Sequence, residues 1–568
     1  MNRLKRPDPQ LWLLLAASVV VWGPLLNPAY FFRAHDAPHS IFYLVEFDQT
    51  LRDGYLWPRW SPDFAFGYGY PLFNIYAPLA IYMAEVVHLL GAGMVAAVKT
   101  VYIGATVGAG LAMYGFARRL FGPNAGLLAA VVYMLAPFHL TELYVRSAFA
   151  EYVSLMWLPL ILWAFTELAA RPSWRRLSLA GASYGLLALT HHTTFFTFTP
   201  FLALYILALA AGRAGWDLRR WLTLATANLG AGLLGLMLAA VYLLPAILEQ
   251  SFIKVEQWTA GSYTFEQHFV YLSQLLSPFW GYGYAGPGPN DGMPFQVGMV
   301  VYGLLAVGLV GLAAFGRPES HRGAMVIFLA ATGISLWLMS PPAAGVWRAL
   351  PVAALVQFPW RLLIITTLSA AVVAGSAAHL LGLNRESLGL VLLAVALGSF
   401  NYAQPEYTPI PEWAATSLAV INWDAASPAD RVGMVTYTQQ QPATGPMEAQ
   451  YRAGEPLQVA GVIAGEAVVR TVRHGGASDV VRVTGGPATV QFYTYDYPGW
   501  QVRLNGAPIP HRPAPPSGLI TVEVPAGEHQ LSLRMGTTPP RLAGGALSLL
   551  ALAVVGASFA FKEQTTHV

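Results

Sequence analysis

The sequence predicts a polytopic α-helical membrane protein that carries a β-domain near its C-terminus, and three observations support this. Of 568 residues, 55% are hydrophobic and only 11% charged, whereas soluble domains carry roughly 25% charged residues to wet their surface. Mean hydropathy is +0.48, and about twelve stretches approach the ~20 apolar residues that cross a hydrocarbon core as a helix. Between residues 401 and 541 the long apolar runs give way to short alternating ones, the period of a half-buried strand. Composition also excludes classes. Lys and Arg number 32 against 29 Asp and Glu, a balance of +3 with no basic run, so nucleic-acid binding is not supported. With no Cys in the chain, disulfides, thiolate zinc sites, iron–sulfur clusters and cysteine nucleophiles are excluded.

The candidate spans are residues 11–27, 97–117, 123–140, 152–170, 177–190, 195–211, 222–248, 295–315, 323–339, 362–381, 388–400 and 542–561. If they alternate, Arg3, Lys5, Arg6, Arg118, Arg119, Arg171, Arg175, Arg176, Arg213, Arg219, Arg220, Arg317, Arg322, Arg385 and Lys562 fall on one side. Basic residues beside short loops stay cytoplasmic, so both termini are expected in the cytoplasm of a multi-pass plasma-membrane protein. The apolar stretch 78–90 is too short to span and would invert every later loop, so it reads as a helix at the outer interface. The first span follows a basic start with no small-residue cleavage site, as in an uncleaved signal-like segment.

Residues 1–400 thus form a transmembrane domain with a long first outer loop at 28–96, residues 401–541 an extracytoplasmic, sandwich-like β-domain, and 542–568 a final span with a cytoplasmic tail. Asn505-Gly506 marks a hairpin between alternating segments. Further outer loops fall at 249–294 and 340–361.

Ionisable groups beside a bilayer are costly unless paired or wetted, so each is a candidate site residue, and here they gather on the outer side. His35-Asp36 opens the first loop, and Pro38 favours a helix start just after Asp36. His39, Tyr43 and Glu46 follow at spacings of four and three, on one helical face. Arg59, Trp57, Trp60 and Tyr68 sit among Gly, Pro and aromatic residues, a composition suited to stacking on a sugar ring or to an aromatic belt at the interface. Arg146 and Glu151 lie between two spans. The Arg can fork onto phosphate or carboxylate, and the Glu can pair with it, act as a base or bind a cation. His191-His192 reads either as a polar helix end or as a ligand-facing pair, and Gln357-Phe-Pro-Trp-Arg361 places an Arg at a span entrance, for phosphate or for snorkelling. No Walker A, His-Glu-x-x-His or Gly-x-Ser-x-Gly sequence occurs.

The early acidic residue of the first outer loop, His35-Asp36, resembles that of type-C (GT-C) glycosyltransferases, multi-span enzymes that use polyprenyl-phosphate-linked sugars. The segments Tyr70-Pro-Leu-Phe-Asn-Ile-Tyr-Ala-Pro-Leu79, Ala117-Arg-Arg-Leu-Phe-Gly122 and Arg146-Ser-Ala-Phe-Ala-Glu151 resemble a bacterial and archaeal membrane family labelled "6-pyruvoyl-tetrahydropterin synthase-related". That label names no activity of this chain, which has nothing like the small zinc-binding pterin enzyme. Tyr497-Pro-Gly-Trp-Gln-Val-Arg-Leu-Asn-Gly506 and Val524-Pro-Ala-Gly-Glu-His-Gln-Leu531 resemble the outer β-domain of related membrane proteins.

The resemblance implies a GT-C-like fold and transfer of a sugar from a polyprenyl-phosphate donor to a glycan, lipid or protein acceptor in the cell envelope. It maps the catalytic acidic residue onto Asp36, with Glu151 as a second catalytic candidate. His35, His39, Glu46, Arg59, Tyr68, Arg146, His191, His192, Gln357 and Arg361 are the expected substrate contacts. Asp36 with Glu151 would be the ligands of any divalent cation, Mg or Mn, although the first loop has no tight Asp-x-Asp pair. A transporter or flippase of lipid-linked glycans, or a non-catalytic envelope assembly protein, is the alternative reading.

Overall fold

The computed structural model describes residues 8–290, 292–314, 319–410, 414–427 and 433–560. Arg3, Lys5, Arg6, Arg317 and Lys562, and the span ends at 315 and 561, lie outside them. Each of the twelve candidate spans overlaps a helix, but among the described residues eight helices are long and apolar enough to cross a membrane, or nine if the bent pair Pro123–Leu135 and Pro137–Arg146 counts as one. Three candidate spans fall short in length, and two of their helices also carry charged residues in the first turn. Trp174–Thr190, Met299–Ala314 and Arg385–Phe400 have 17, 16 and 16 residues, and at 1.5 Å per residue they reach only about 24–26 Å. The bent pair turns by 43° at Ala136-Pro137, where proline removes a backbone donor and disfavours helical backbone in the residue before it. Leu79–Leu89 is an 11-residue helix, about 16 Å long, too short to cross.

In the helix Pro359–Leu380, 89% of the residues of its apolar 18-residue stretch are buried, against 17% in Pro539–Ala560. The first sits in the middle of the bundle. The second leaves Leu542, Leu549, Leu550 and Leu552 exposed, an apolar face suited to lipid.

After the helices Ser417–Ala426 and Pro446–Ala453 come seven strands: β1 (Ala460–His474), β2 (Ser478–Tyr495), β3 (Trp500–Leu504), β4 (Ala507–Ile509), β5 (Arg512–Ala514), β6 (Leu519–Val524) and β7 (Gly527–Met535). All pair antiparallel in one sheet of order β4-β3-β7-β2-β6-β5, with β1 on the other side of β2. The two halves of the predicted sandwich-like domain are therefore one continuous sheet. Strand β2 changes partner along its length, pairing with β7 over residues 478–485 and with β6 over residues 488–495. The switch falls at Gly485-Gly486-Pro487, where a glycine at φ +133 allows the irregularity and the proline lacks a ladder donor. Asn505 and Gly506 both take positive φ between β3 and β4, the two-residue hairpin turn expected of Asn-Gly.

The first loop, residues 28–96, is packed into this sheet. Trp60 is 2% exposed and shares a core with Val481, Phe492, Trp500 and Leu531. At the β1–β2 turn, Asp53 accepts hydrogen bonds from Ala477 N–H (3.1 Å) and Ser478 Oγ (2.7 Å) and pairs with Arg473 (3.2 Å). Gly69 has φ +80, and a Cβ there would lie 2.2 Å from Trp60 Nε1. Gly69→Ala is therefore expected to destabilise the protein by about 1–3 kcal/mol through overpacking, read as a lower midpoint of thermal unfolding.

Beside the same turn, His474 Nδ1 lies 2.6 Å from Asp479 Oδ1. Burial alone would lower the His474 pKa, but the hydrogen bond and charge of Asp479 outweigh it and lift the group above its ordinary value. For a raised histidine the stabilisation is complete below the unfolded value of about 6.5 and is lost as pH rises through the higher folded value. Thermal midpoints measured upward from pH 6 should fall more steeply for wild type than for His474→Gln.

Candidate active site

The start of the first-loop helix Ala37–Arg52 is tied to the end of the bent pair by two backbone hydrogen bonds. His35 N–H donates to Val145 O (3.2 Å) and Asp36 N–H to Arg146 O (2.7 Å). Ser147 turns the chain with φ +51, and Tyr102 Oη donates to its carbonyl at 3.0 Å. Asp36 and Arg146, 110 residues apart in sequence, thereby become neighbours. Asp36, His39, Tyr43, Tyr76, Arg146, Glu151, His191 and Arg361 line one cavity of about 150 Å³.

Its charged floor is built around Arg146, whose side chain is 6% exposed. Arg146 Nη1 donates to Glu142 Oε1 and Oε2 (2.5 and 2.6 Å) and to Glu151 Oε2 (2.8 Å). Its guanidinium also lies 4.6 Å from the centre of the Trp360 ring, a cation–π distance. Arg361 places Nε 3.5 Å from Glu151 Oε1 and gives Nη1 to Val356 O (2.8 Å) and Gln357 Oε1 (2.9 Å). Gln357 sits at φ +64, backbone strain of the kind found at functional sites. Its Nε2 donates to Trp258 O at 2.8 Å.

Asp36 differs from the other carboxylates. Its side chain is 40% exposed, with one oxygen 3.7 Å from His39 Nδ1 and the other 3.8 Å from Arg146 Nη2. Both contacts exceed hydrogen-bond length, so among the three acids of the site it is the one not committed to a close partner. His191, between two helices, is pushed down to about 3 by burial; its neutral ring pairs Nδ1 with Thr194 Oγ1 at 2.8 Å.

Six of the residues expected from sequence therefore meet here: Asp36, His39, Arg146, Glu151, His191 and Arg361. Gln357 stands behind Arg361, and His192 Nδ1 lies 3.5 Å from Tyr242 Oη. His35 points away from the cavity, stacked 4.1 Å from Tyr284 with Nε2 3.0 Å from Gly283 O. Three expected contacts are elsewhere. Glu46, one turn beyond Tyr43, accepts from Asp63 N–H at 2.8 Å and is fully buried. Arg59 binds Asn74 Oδ1 (2.9 Å) and Val241 O (3.1 Å), and Asn74 donates on to Glu249 (2.8 Å), itself paired with Arg541 (2.9 Å). Tyr68 packs on Tyr495, 5.5 Å between centroids. Tyr68 joins the loop to the β-domain, Glu46 ties the loop to itself, and Arg59 ties it to the helix Ala240–Leu248. Trp60 is covered by the β-domain, and Trp57 packs against Tyr82 at 5.4 Å, so neither aromatic lines the cavity. Glu142 escaped the sequence reading, although an acid four residues before Arg146 inside an apolar stretch is the signal for it.

A divalent cation does not fit Asp36 and Glu151. Both Glu151 oxygens face guanidinium groups, which neutralise it and would repel a metal. Among the described residues, no three His, Cys, Asp or Glu side chains are grouped to hold one.

Fold and site together define a multi-pass helical membrane protein with an acid–arginine pocket at the junction of its first loop and its spans. The chain belongs to the family described as "6-pyruvoyl-tetrahydropterin synthase related domain; membrane protein", which it matches over residues 73–404, and the family resemblance read from the sequence is borne out. No protein of curated function matches it. Among solved structures it is similar to the arabinofuranosyltransferase AftD from Mycobacteria, with TM-score 0.47, 18% identity and 69% of this chain covered. The chain spans 26% of AftD's length. It is also similar to ArnT from Cupriavidus metallidurans bound to undecaprenyl phosphate, with TM-score 0.34, 13% identity, and 81% of this chain and 97% of that one covered.

Proposed function

We propose that the protein is a type-C membrane glycosyltransferase that moves a sugar from a polyprenyl-phosphate-linked donor to a glycan, lipid or protein acceptor at the outer face of the plasma membrane. The observation that carries this reading is the exposed Asp36 carboxylate at the edge of a buried cavity that also holds Arg146 and Arg361. In the proposed reaction an acceptor hydroxyl oxygen bonds to the anomeric carbon as the bond from that carbon to the phosphate oxygen breaks. Asp36 takes the hydroxyl proton, and the carrier leaves as polyprenyl phosphate. Arg361 and Arg146 offset the charge that develops on the leaving phosphate, where exclusion of water strengthens the interaction.

In this scheme Glu151 and Glu142 are positioning residues. Their charges hold Arg146 in place, and Glu151 also faces Arg361. His39 faces the base, with Nδ1 3.7 Å from the Asp36 carboxylate. No step requires a metal.

The test is to incubate the purified protein in lipid vesicles with a panel of polyprenyl-phosphate sugars and candidate acceptors, following donor, free carrier and donor sidedness. Donor consumption matched by release of polyprenyl phosphate is the expected result. Donor moved across the bilayer intact would replace this reading with a flippase, and neither consumption nor movement across the panel would favour the assembly protein.

A further inference from the structure

A second site lies at the opposite end of the bundle. The helix Met94–Phe121 carries Tyr102, bonded to the Ser147 turn of the acid–arginine pocket, and four and a half turns later Arg118, about 24 Å away along the axis. There the helices Pro9–Trp22, Met94–Phe121, Trp157–Ala170 and Trp174–Thr190 enclose a groove of about 1070 Å³. Its walls are apolar, with Leu111, Leu160, Leu179 and Leu186 among them. The hollow exists because small residues line it. A Cβ on Gly115 would lie 2.3 Å from the Trp163 ring, so glycine admits that ring close to the helix, and Ala164 and Ala182 line the groove beside it.

The mouth is basic. Arg118, Arg119 and Arg176 line it together with Glu167. Arg118 pairs with Asp8, and Arg119 Nε lies 2.6 Å from Glu167 Oε1. The Arg176 guanidinium donates to a carbonyl, Arg171 O at 2.9 Å, and among the described residues it has no carboxylate partner. Among the described residues, three guanidinium groups against two carboxylates, with Arg213 close to Arg119 and Glu167, leave a net positive charge above an apolar trough that opens between membrane-spanning helices. The complement of that arrangement is one phosphodiester anion attached to an acyl chain, and basic pockets between transmembrane helices bind such headgroups.

We propose that this groove holds one anionic glycerophospholipid, its acyl chain along the leucine wall and its phosphate on Arg176 and Arg119. The site is independent of the catalytic reading, because it shares no residue with the acid–arginine pocket. Its place at the far end of the bundle separates it from any carrier lipid engaged beside Asp36.

The experiment is native mass spectrometry of the full chain, delipidated in mild detergent and titrated with phosphatidylglycerol or phosphatidylcholine. Wild type should retain one phosphatidylglycerol and little phosphatidylcholine. Arg176→Gln leaves both ion pairs intact and should weaken phosphatidylglycerol binding about fivefold, the effect of one basic residue at a charged lipid surface. Ala182→Phe fills the trough without touching a charge and should abolish retention. Equal retention of the two lipids, unchanged affinity in either variant, or displacement of phosphatidylglycerol by an equal concentration of polyprenyl phosphate would overturn the proposal.

Discussion

Asp36→Asn should lower the rate of donor consumption by about 10²–10⁴-fold, the usual contribution of a positioned general base, and leave the thermal midpoint near the wild-type value. The two halves of this expectation come from the same geometry. Among the described residues the Asp36 carboxylate has no ion pair closer than 3.7 Å, and its side chain is 40% exposed, so loss of its charge should cost little stability. What anchors the residue is its backbone N–H on Arg146 O at 2.7 Å, and asparagine keeps that bond. Asparagine also keeps the shape of the side chain and loses only the ability to accept a proton as a carboxylate. The measurements are initial rates of polyprenyl-phosphate release and thermal unfolding on the same preparation. A variant with full activity would remove Asp36 from the mechanism, and one with a collapsed midpoint would show that its charge is structural.

Arg146→Leu should act in the opposite way, through stability. Glu142 is 0% and Glu151 2% exposed, and removing Arg146 strips Glu142 of its ion-pair partner and Glu151 of the closer of its two. Breaking a buried ion pair by removing one member costs about 3–5 kcal/mol, because an uncompensated charge is left behind. Adding Glu142→Gln to Arg146→Leu should recover part of that loss by removing one stranded charge. Arg146→Lys should fall between wild type and leucine, since a point charge cannot fork across two carboxylates as guanidinium does. Thermal midpoints of the four proteins in one detergent test the ordering. Equal midpoints for Arg146→Leu and wild type would mean that the two glutamates are not held as charges.

Much of this protein was legible in its sequence. The helical, membrane-spanning character follows from apolar length, since a bilayer forces backbone groups to be satisfied within a segment. The strands followed from alternation and the β3–β4 turn from Asn505-Gly506, because these signals are local. The start of the first-loop helix followed from Asp36 and Pro38. His39 and Tyr43 share one face and reach the cavity together, as their four-residue spacing required.

Tertiary structure decided the rest. Glu46 shares that face yet leaves the cavity for Asp63, because the loop folds back over the helix one turn later. Trp60 and Tyr68 look like sugar contacts in the sequence, and the β-domain, some 400 residues on, covers them, while Arg59 is taken up by Asn74 and the Val241 carbonyl. Arg361 reaches Glu151 only because the buried helix Pro359–Leu380 threads the centre of the bundle. Periodicity says which face of a segment is polar, whereas the partner that face meets is set by long-range packing, which no local pattern encodes.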